Sequence, residues 1–187
     1  MSRASLADVI IESARLQLKP TSESYADDVF QNFTAEVTTY MFPAPPAAID
    51  ETRQFLRRAR SQVEAGTDLQ VAVLLRSGEE FLGHAGLHHL QTATPELGIW
   101  IRKDEHGHGY GREAVTALAD WALENLAFEY LIYPVDRRNF ASRRIPESLG
   151  GRVEAEYEKL NESGVGLDLL EYRIHRDALA KNRRAEP

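Results

Sequence analysis

"EHGHGYGREA", from Glu105 to Ala114, sets three glycines, two histidines and a tyrosine directly in front of a helical pattern. Four kinds of site could use such a stretch. A metal site is a poor fit: His106 and His108 are two residues apart, the wrong spacing for one helix face, and no cysteine assists them. A dinucleotide fingerprint needs G-x-G-x-x-G in a parallel βαβ unit, whereas these glycines fall at 107, 109 and 111 after strands that read as hairpins. A phosphate loop of the Walker type lacks its G-K-[ST]. A backbone cradle for an anion survives: Gly107, Gly109 and Gly111 let successive N–H groups approach a phosphate, a helix N-terminus stands behind them, and Arg112 adds charge. A turn with positive φ would account for one or two of the glycines; three at alternate positions, opening a long amphipathic helix, favour a ligand.

The elements on either side suggest what holds this loop. Upstream, "ARLQLKP" alternates as a first strand, and "SYADDVFQNF" has helical spacing in Tyr25, Val29 and Phe33. After the proline-broken "FPAPPAAI", Asp50 is expected to cap a second helix with a stripe of Phe55, Leu56, Ala59 and Val63 that stops near Gly66. "LQVAVLLR" and "FLGHAGLHHL" read as strands joined by the turn "SGEE", and "ELGIWI" as another strand before the loop. Downstream, Val115, Leu118, Trp121 and Ala122 mark the buried face of a helix. "YLIYPV" is a strand, "NFASRRIPESLGG" a short helix closed by glycines, and "RVEAEYEKL" and "LDLLEYRIH" a final antiparallel pair around "NESG". The tail "RRAEP" is expected to fray. The order β-α-α-β-β-β-α-β-α-β-β predicts an α/β (α+β) domain on one mixed, largely antiparallel central sheet flanked by helices.

Composition sets the bounds. A chain of 187 residues is expected to form a single domain, with 43% hydrophobic and 27% charged residues typical of a globular protein. A net charge of -7 argues against a nucleic-acid partner bound along its phosphates. No apolar run reaches the ~20 residues that span a bilayer, so no membrane association is expected. "MSRASLADVIIESARL" is interrupted by Asp8 and Glu12, unlike a secretory signal, which makes the cytoplasm the expected compartment. The absence of cysteine excludes disulfides, thiol catalysis and thiolate metal sites.

The stretch "ELGIWIRKDEHGHGYGREA" resembles the central strand, loop and helix of the GNAT superfamily of N-acetyltransferases, in particular its RimJ/RimL-like branch. That family's acyl-CoA loop, [QR]-x-x-G-x-[GA], falls on His106-Gly107-His108-Gly109-Tyr110-Gly111, with His106 where the family has Gln or Arg. "RLQLKP" resembles the opening strand, "TTYMF" the substrate-side loop, and "NFASRRIPESLGG" the later N-x-x-S…LG signature, so the resemblance covers Ala14 to His175. It implies that acetyl-CoA is a cosubstrate, without metal, in a cleft where "ELGIWI" and "YLIYPV" splay apart. Pantetheine would pair with the backbone of Ile99, Trp100 and Ile101, and the pyrophosphate would sit on the amides of Gly107 to Arg112. Asn139 would hold cofactor or cap its helix.

An acyl transfer to an amine needs a base and an acid. Glu96, at the start of the central strand, is the first candidate base, directly or through water. His84, His88 and His89 are alternatives, with His84 and His88 on one strand face and His89 on the other. The family's usual acid, a tyrosine, falls at Pro146 and is missing; Ser142 holds the serine position of the RimL-like pattern and could protonate the leaving thiolate. Arg53, Arg57, Arg58 and Arg60 form a solvated helix face or attract an acidic substrate. Some of Arg137, Arg138, Arg143 and Arg144 could meet the nucleotide 3′-phosphate. The expected acceptor is a protein N-terminal amine or a small-molecule amine, and the resemblance implies a homodimer. A non-catalytic acyl-CoA-binding domain is the alternative, and a metal-dependent hydrolase a distant one.

Overall fold

The computed structural model describes residues 5–185. Its strands are β1 (Ile11–Glu12), β2 (Leu16–Pro20), β3 (Leu69–Leu75), β4 (Phe81–His88), β5 (Glu96–Ile101), β6 (Tyr130–Asp136), β7 (Arg152–Leu160) and β8 (Gly166–His175). Its helices are α1 (Ala26–Asn32), α2 (Ile49–Ala65), α3 (Tyr110–Asn125), α4 (Phe140–Ser148) and α5 (Arg176–Ala185). One sheet runs β1-β2-β3-β4-β5-β6-β8-β7, antiparallel except between β5 and β6. The mixed, largely antiparallel α/β architecture read from the sequence is therefore present.

Two apolar layers sandwich the sheet. Val115, Leu118 and Ala122 of α3 and Ile145 and Leu149 at α4 pack with Leu18, Val71, Val73 and Leu97 on one face. Ala26 and Val29 of α1 and Leu56 of α2 pack with Ala72, Leu74 and Phe81 on the other. Burial on both faces explains why β3 reads "LQVAVLL" with almost no polar alternation.

The sheet forks at its centre. Strands β5 and β6 register only at Glu96 and Ile132, where the Ile132 N–H donates to the Pro95 carbonyl at 2.8 Å. Beyond that point β6 stays with β8 along its whole length while β5 stays with β4. A gap opens between them, and the glycine loop and α3 begin at its mouth.

Three local expectations need correction. Asp50 does not cap α2: Ala48 holds that position, Asp50 lies in the first turn paired with Arg53 at 3.1 Å, and Glu51 reaches back to accept the Ala47 N–H at 2.8 Å. The carboxylates act on the helix N-terminus from inside it. Residues 183–185 of the tail belong to α5, which Leu179 anchors in the core and Arg183 ties to Glu124 of α3; residues 186–187 lie outside the described residues. A two-residue β1 adds an edge to the expected sheet, pairing Ile11 with Leu18. Among the described residues no helix is long and apolar enough to cross a membrane, and no group of three or more metal-ligating side chains gathers.

Candidate active site

The glycine loop sets two left-handed residues directly in front of α3. Gly107 and Gly109 take φ of +84° and +81°, so their glycines answer to backbone strain alone. Gly111 does not: its φ is ordinary, and an added Cβ would lie 3.6 Å from Ile101 and Ile145 side chains, in ordinary contact. A side chain there would instead fill space in a cavity of about 470 Å³ that the loop helps to wall. Among the described residues no acceptor meets the backbone N–H groups of Gly107 through Arg112, which lie at and before the N-terminus of α3. These observations fit a diphosphate.

The loop is held from two sides. His106 Nε2 donates to the Ile101 carbonyl at 2.8 Å, so the residue replacing Gln or Arg ties the loop to the end of β5. Glu113 accepts Ser13 Oγ at 2.7 Å, the Arg15 N–H at 2.8 Å and Arg15 Nε at 2.7 Å, binding α3 to the first strands. Burial opposes ionisation of Glu113, but these donors outweigh it and hold its pKa below the ordinary carboxylate value. Arg15 also donates to the His108 carbonyl at 3.0 Å and lies over the Tyr110 ring. His108 stacks on Tyr110 and is exposed, outside the cavity wall.

The gap between β5 and β6 presents backbone groups selectively. Arg102 N–H donates to the Leu82 carbonyl at 2.7 Å, so by antiparallel alternation Trp100 and Gly98 face β4, while Ile99 and Ile101 face the gap. Ile99 and the Ile101 N–H can meet an extended ligand there, while the Ile101 carbonyl already accepts His106 Nε2. Trp100 cannot do so through its backbone: its carbonyl points at Gly83 of β4. Its indole instead packs against Phe33 and Phe81 on the opposite sheet face.

Across the gap, Asn139 caps α4, its Oδ1 accepting the Ser142 N–H at 3.2 Å, and both residues wall the cavity. Ser142 Oγ lies 2.8 Å from the hydroxyl of Tyr133 on β6. Burial pushes the Tyr133 pKa up to about 12, so at neutral pH its O–H is retained and available to Ser142. Nothing in the sequence pairs Tyr133 with Ser142, because the contact joins a strand to the next helix. Of the four nearby arginines, Arg137 pairs with Asp168 and Glu156, Arg138 with buried Asp136, and Arg143 with the Tyr172 hydroxyl. Arg144 and Arg112 stand in the cavity wall.

A second cavity, of about 480 Å³, lies on the α1/α2 side and shares Met41, Ile99 and Trp100 with the wall of the first. Phe33, Phe55 and the segment Pro43–Pro46 give it an apolar wall. Glu162, in the turn between β7 and β8, pins that segment by accepting the Ala44 N–H at 3.0 Å. Arg58 reaches this wall, whereas Arg53, Arg57 and Arg60 are paired on the exposed side of α2.

The candidate bases separate by position. Glu96 lies at the closed end of the fork and walls neither cavity. His89 has left the strand at φ +58°. His88 and His84 both wall the second cavity. His84 is buried at 5% exposure, its Nε2 has no hydrogen-bond partner, and burial, assisted by neighbouring His88, lowers its pKa to about 3. An unfolded histidine titrates near 6.5, so the unfolded chain binds the extra proton first as pH falls. His84 should therefore remove about 1.4 kcal/mol of stability per pH unit from about pH 6.5 down towards 3, with its contribution intact above that range. Denaturant unfolding at several pH values should show this slope, and His84→Leu should flatten it.

Two neighbouring cavities, one beside the glycine loop and the free edge of β5, the other with an apolar wall on the α1/α2 side, give room for two substrates. A family profile described as "Acetyltransferase (GNAT) domain" matches residues 15–152, and the chain belongs to this family. The protein is an acetyl-CoA-dependent N-acetyltransferase. It is 24% identical over 151 residues to the "Uncharacterized N-acetyltransferase p20" of Bacillus licheniformis, covering 78% of this chain and 85% of that one. Its fold is similar to that of RimL, described as "Ribosomal L7/L12 alpha-N-protein acetyltransferase", in complex with coenzyme A: TM-score 0.81, 17% identity, 91% of this chain and 99% of that one. It is also similar to that of the "Microcin C7 self immunity acetyltransferase MccE" in complex with acetyl-CoA and AMP: TM-score 0.76, 15% identity, 87% and 93% covered.

Proposed function

We propose that the enzyme transfers acetyl directly to a primary amine in a ternary complex, the acceptor being the N-terminal α-amine of a protein or peptide. The observation that carries this reading is that the two cavities share Met41, Ile99 and Trp100 in their walls, so an amine held in the second would lie next to a thioester held in the first. Acetyl-CoA supplies the activated acyl carbon. Gly107 to Arg112 and the gap-facing backbone of Ile99 and Ile101 would hold it, with Arg112, Asn139 and Arg144 along its course. The Ile99 N–H is the donor best placed to stabilise the oxyanion. Ser142, backed by Tyr133, would return a proton to the leaving sulfur. No cysteine is available for an acyl-enzyme.

The acceptor follows from the demand on the base. An α-amine with a pKa of ~7.7–8.0 costs about 1 kcal/mol to deprotonate at pH 7, against about 4.6 kcal/mol for a lysine at ~10.4. A partly solvated site suits the first better. The RimL structure points the same way by its described activity; a small-molecule amine in the apolar cavity is the competing acceptor. A cytoplasmic homodimer belongs to the same reading.

The first test is the thermal midpoint with and without acetyl-CoA, using NADH and ATP as comparisons. A ligand at a hundred times its Kd adds ~2.7 kcal/mol, raising the midpoint of a domain this size by roughly 5–10 °C. A rise with acetyl-CoA alone is expected, followed by coenzyme A release with a peptide amine. No rise at saturation would remove the assignment of the cradle.

A further inference from the structure

Two glycines face the acceptor cavity from neighbouring strands with no turn to explain them. Gly86 of β4 and Gly98 of β5 stand opposite each other in the sheet and both have ordinary φ. What lies above them is the imidazole of His88. A Cβ on Gly86 would come within 2.6 Å of His88 Nε2, and one on Gly98 within 3.6 Å of the same atom. The ring is therefore laid along the sheet, across the bare backbone of both strands, and its Nε2 reaches the residue that precedes Ile99. Its other nitrogen, Nδ1, lies 3.3 Å from Oδ1 of Asp68.

Asp68 is buried at 5% exposure at the start of β3, and its carboxylate is fixed by two further donors. Oδ1 accepts the His89 N–H at 2.9 Å, and Oδ2 accepts Thr67 Oγ1 at 3.2 Å. A buried carboxylate on the Nδ1 side favours the proton there, leaving the lone pair on Nε2 of a residue that walls the cavity. We infer that His88 is the general base for the acceptor amine and that Asp68 positions it, a pairing that rests on the acetyltransferase reading above. It deepens that reading by assigning the proton's destination.

The step balances. The amine nitrogen attacks the acyl carbon, forming C–N while the carbonyl electrons move onto oxygen. His88 Nε2 takes the N–H proton. Collapse of the tetrahedral species breaks C–S, and Ser142 gives its proton to the departing sulfur. Solvent at the cavity then takes the proton from His88 and restores the one lost by Ser142.

Several charged or titratable groups face this imidazole and share its pH response. They are Asp68 beside Nδ1, His89 with ring centroids 6.4 Å away, and His84 on the same sheet face. Glu96 lies directly across on β5, Glu51 and Arg58 approach from α2, and Glu162 from the turn between β7 and β8.

The test is the pH dependence of kcat/KM for the full chain with acetyl-CoA and three acceptors: an alanine-initiated peptide amide, phenethylamine and spermidine. His88→Gln should lower kcat/KM by about 10²–10⁴ and remove the acid limb of its pH profile. The thermal shift with acetyl-CoA should survive, which also establishes that the variant folds. Asp68→Asn should lower kcat with little change in acceptor KM. Gly86→Ala touches only the ring's far end, so it should lower kcat in the wild type and do nothing further in the His88→Gln background. An intact acid limb in His88→Gln, or its loss in Glu96→Gln alone, overturns the inference and leaves the acetyltransferase reading standing. No turnover with any acceptor despite a normal acetyl-CoA shift overturns the proposed amine transfer, and this assignment with it.

Discussion

Replacing Gly83 with alanine is expected to cost about 3 kcal/mol or more of folding stability. Its Cβ would stand 2.1 Å from the Trp100 carbonyl oxygen and 2.9 Å from the Ile101 Cα, both backbone atoms of the neighbouring strand. No rotamer relieves that overlap, so β4 and β5 would have to part in the middle of the sheet. The damage would not stay local, because Trp100 and Ile101 wall the cavity beside the glycine loop and Trp100 the one on the α1/α2 side too. The variant should therefore unfold at lower denaturant and bind acetyl-CoA more weakly than its residual stability alone would suggest. Gly78→Ala is the matched control: an added Cβ there meets nothing within 4 Å, and its φ is ordinary. Equal midpoints for the two variants would show that the strand pair tolerates separation.

The contrast among glycines also shows how far the sequence could be read. The glycine loop stood out because three close glycines before an amphipathic helix form a local pattern. The structure divides their reasons, two by φ and one by space, which no spacing can tell apart. Gly83, Gly86 and Gly98 carried no such signal, since what each avoids lies across a strand pairing or under a side chain two residues away. The long strands β5, β7 and β8 were legible from alternation and turn residues, and most of their limits agree with the observed ones. α5 was not legible: half of "RDALAKNRRA" is charged, and its place is fixed by Leu179 and by Arg183 reaching α3. Backbone direction was also hidden. The expectation that Ile99, Trp100 and Ile101 all face the cofactor ignored the alternation that turns Trp100 towards β4. The cavity on the α1/α2 side depends on the proline segment, whose path is set by carboxylates at positions 51 and 162, far apart in the chain.

Removing the hydroxyl of Ser142 should lower kcat by about 10²–10⁴ while leaving the affinity for acetyl-CoA nearly unchanged. The reason lies in the pair it forms. The Tyr133 hydroxyl, 2.8 Å away and only 3% exposed, keeps its proton and can donate it to Ser142 Oγ. That leaves the serine proton directed elsewhere, and the cavity wall is where Ser142 is exposed. A neutral serine is a weak acid alone, but a donor behind it stabilises the oxygen as its proton leaves. Tyr133→Phe keeps the ring in the core and removes only that donor, so it should also depress kcat. If the two hydroxyls act as one unit, Ser142→Ala and the double variant should have nearly equal rates, since the tyrosine works only through the serine. Steady-state coenzyme A release with a peptide amine, alongside the thermal shift with acetyl-CoA, reads both quantities. A double variant slower than Ser142→Ala by the full Tyr133→Phe factor would mean that the tyrosine acts independently. Wild-type kcat in Ser142→Ala would mean that water, entering through the open fork between β5 and β6, protonates the sulfur unaided.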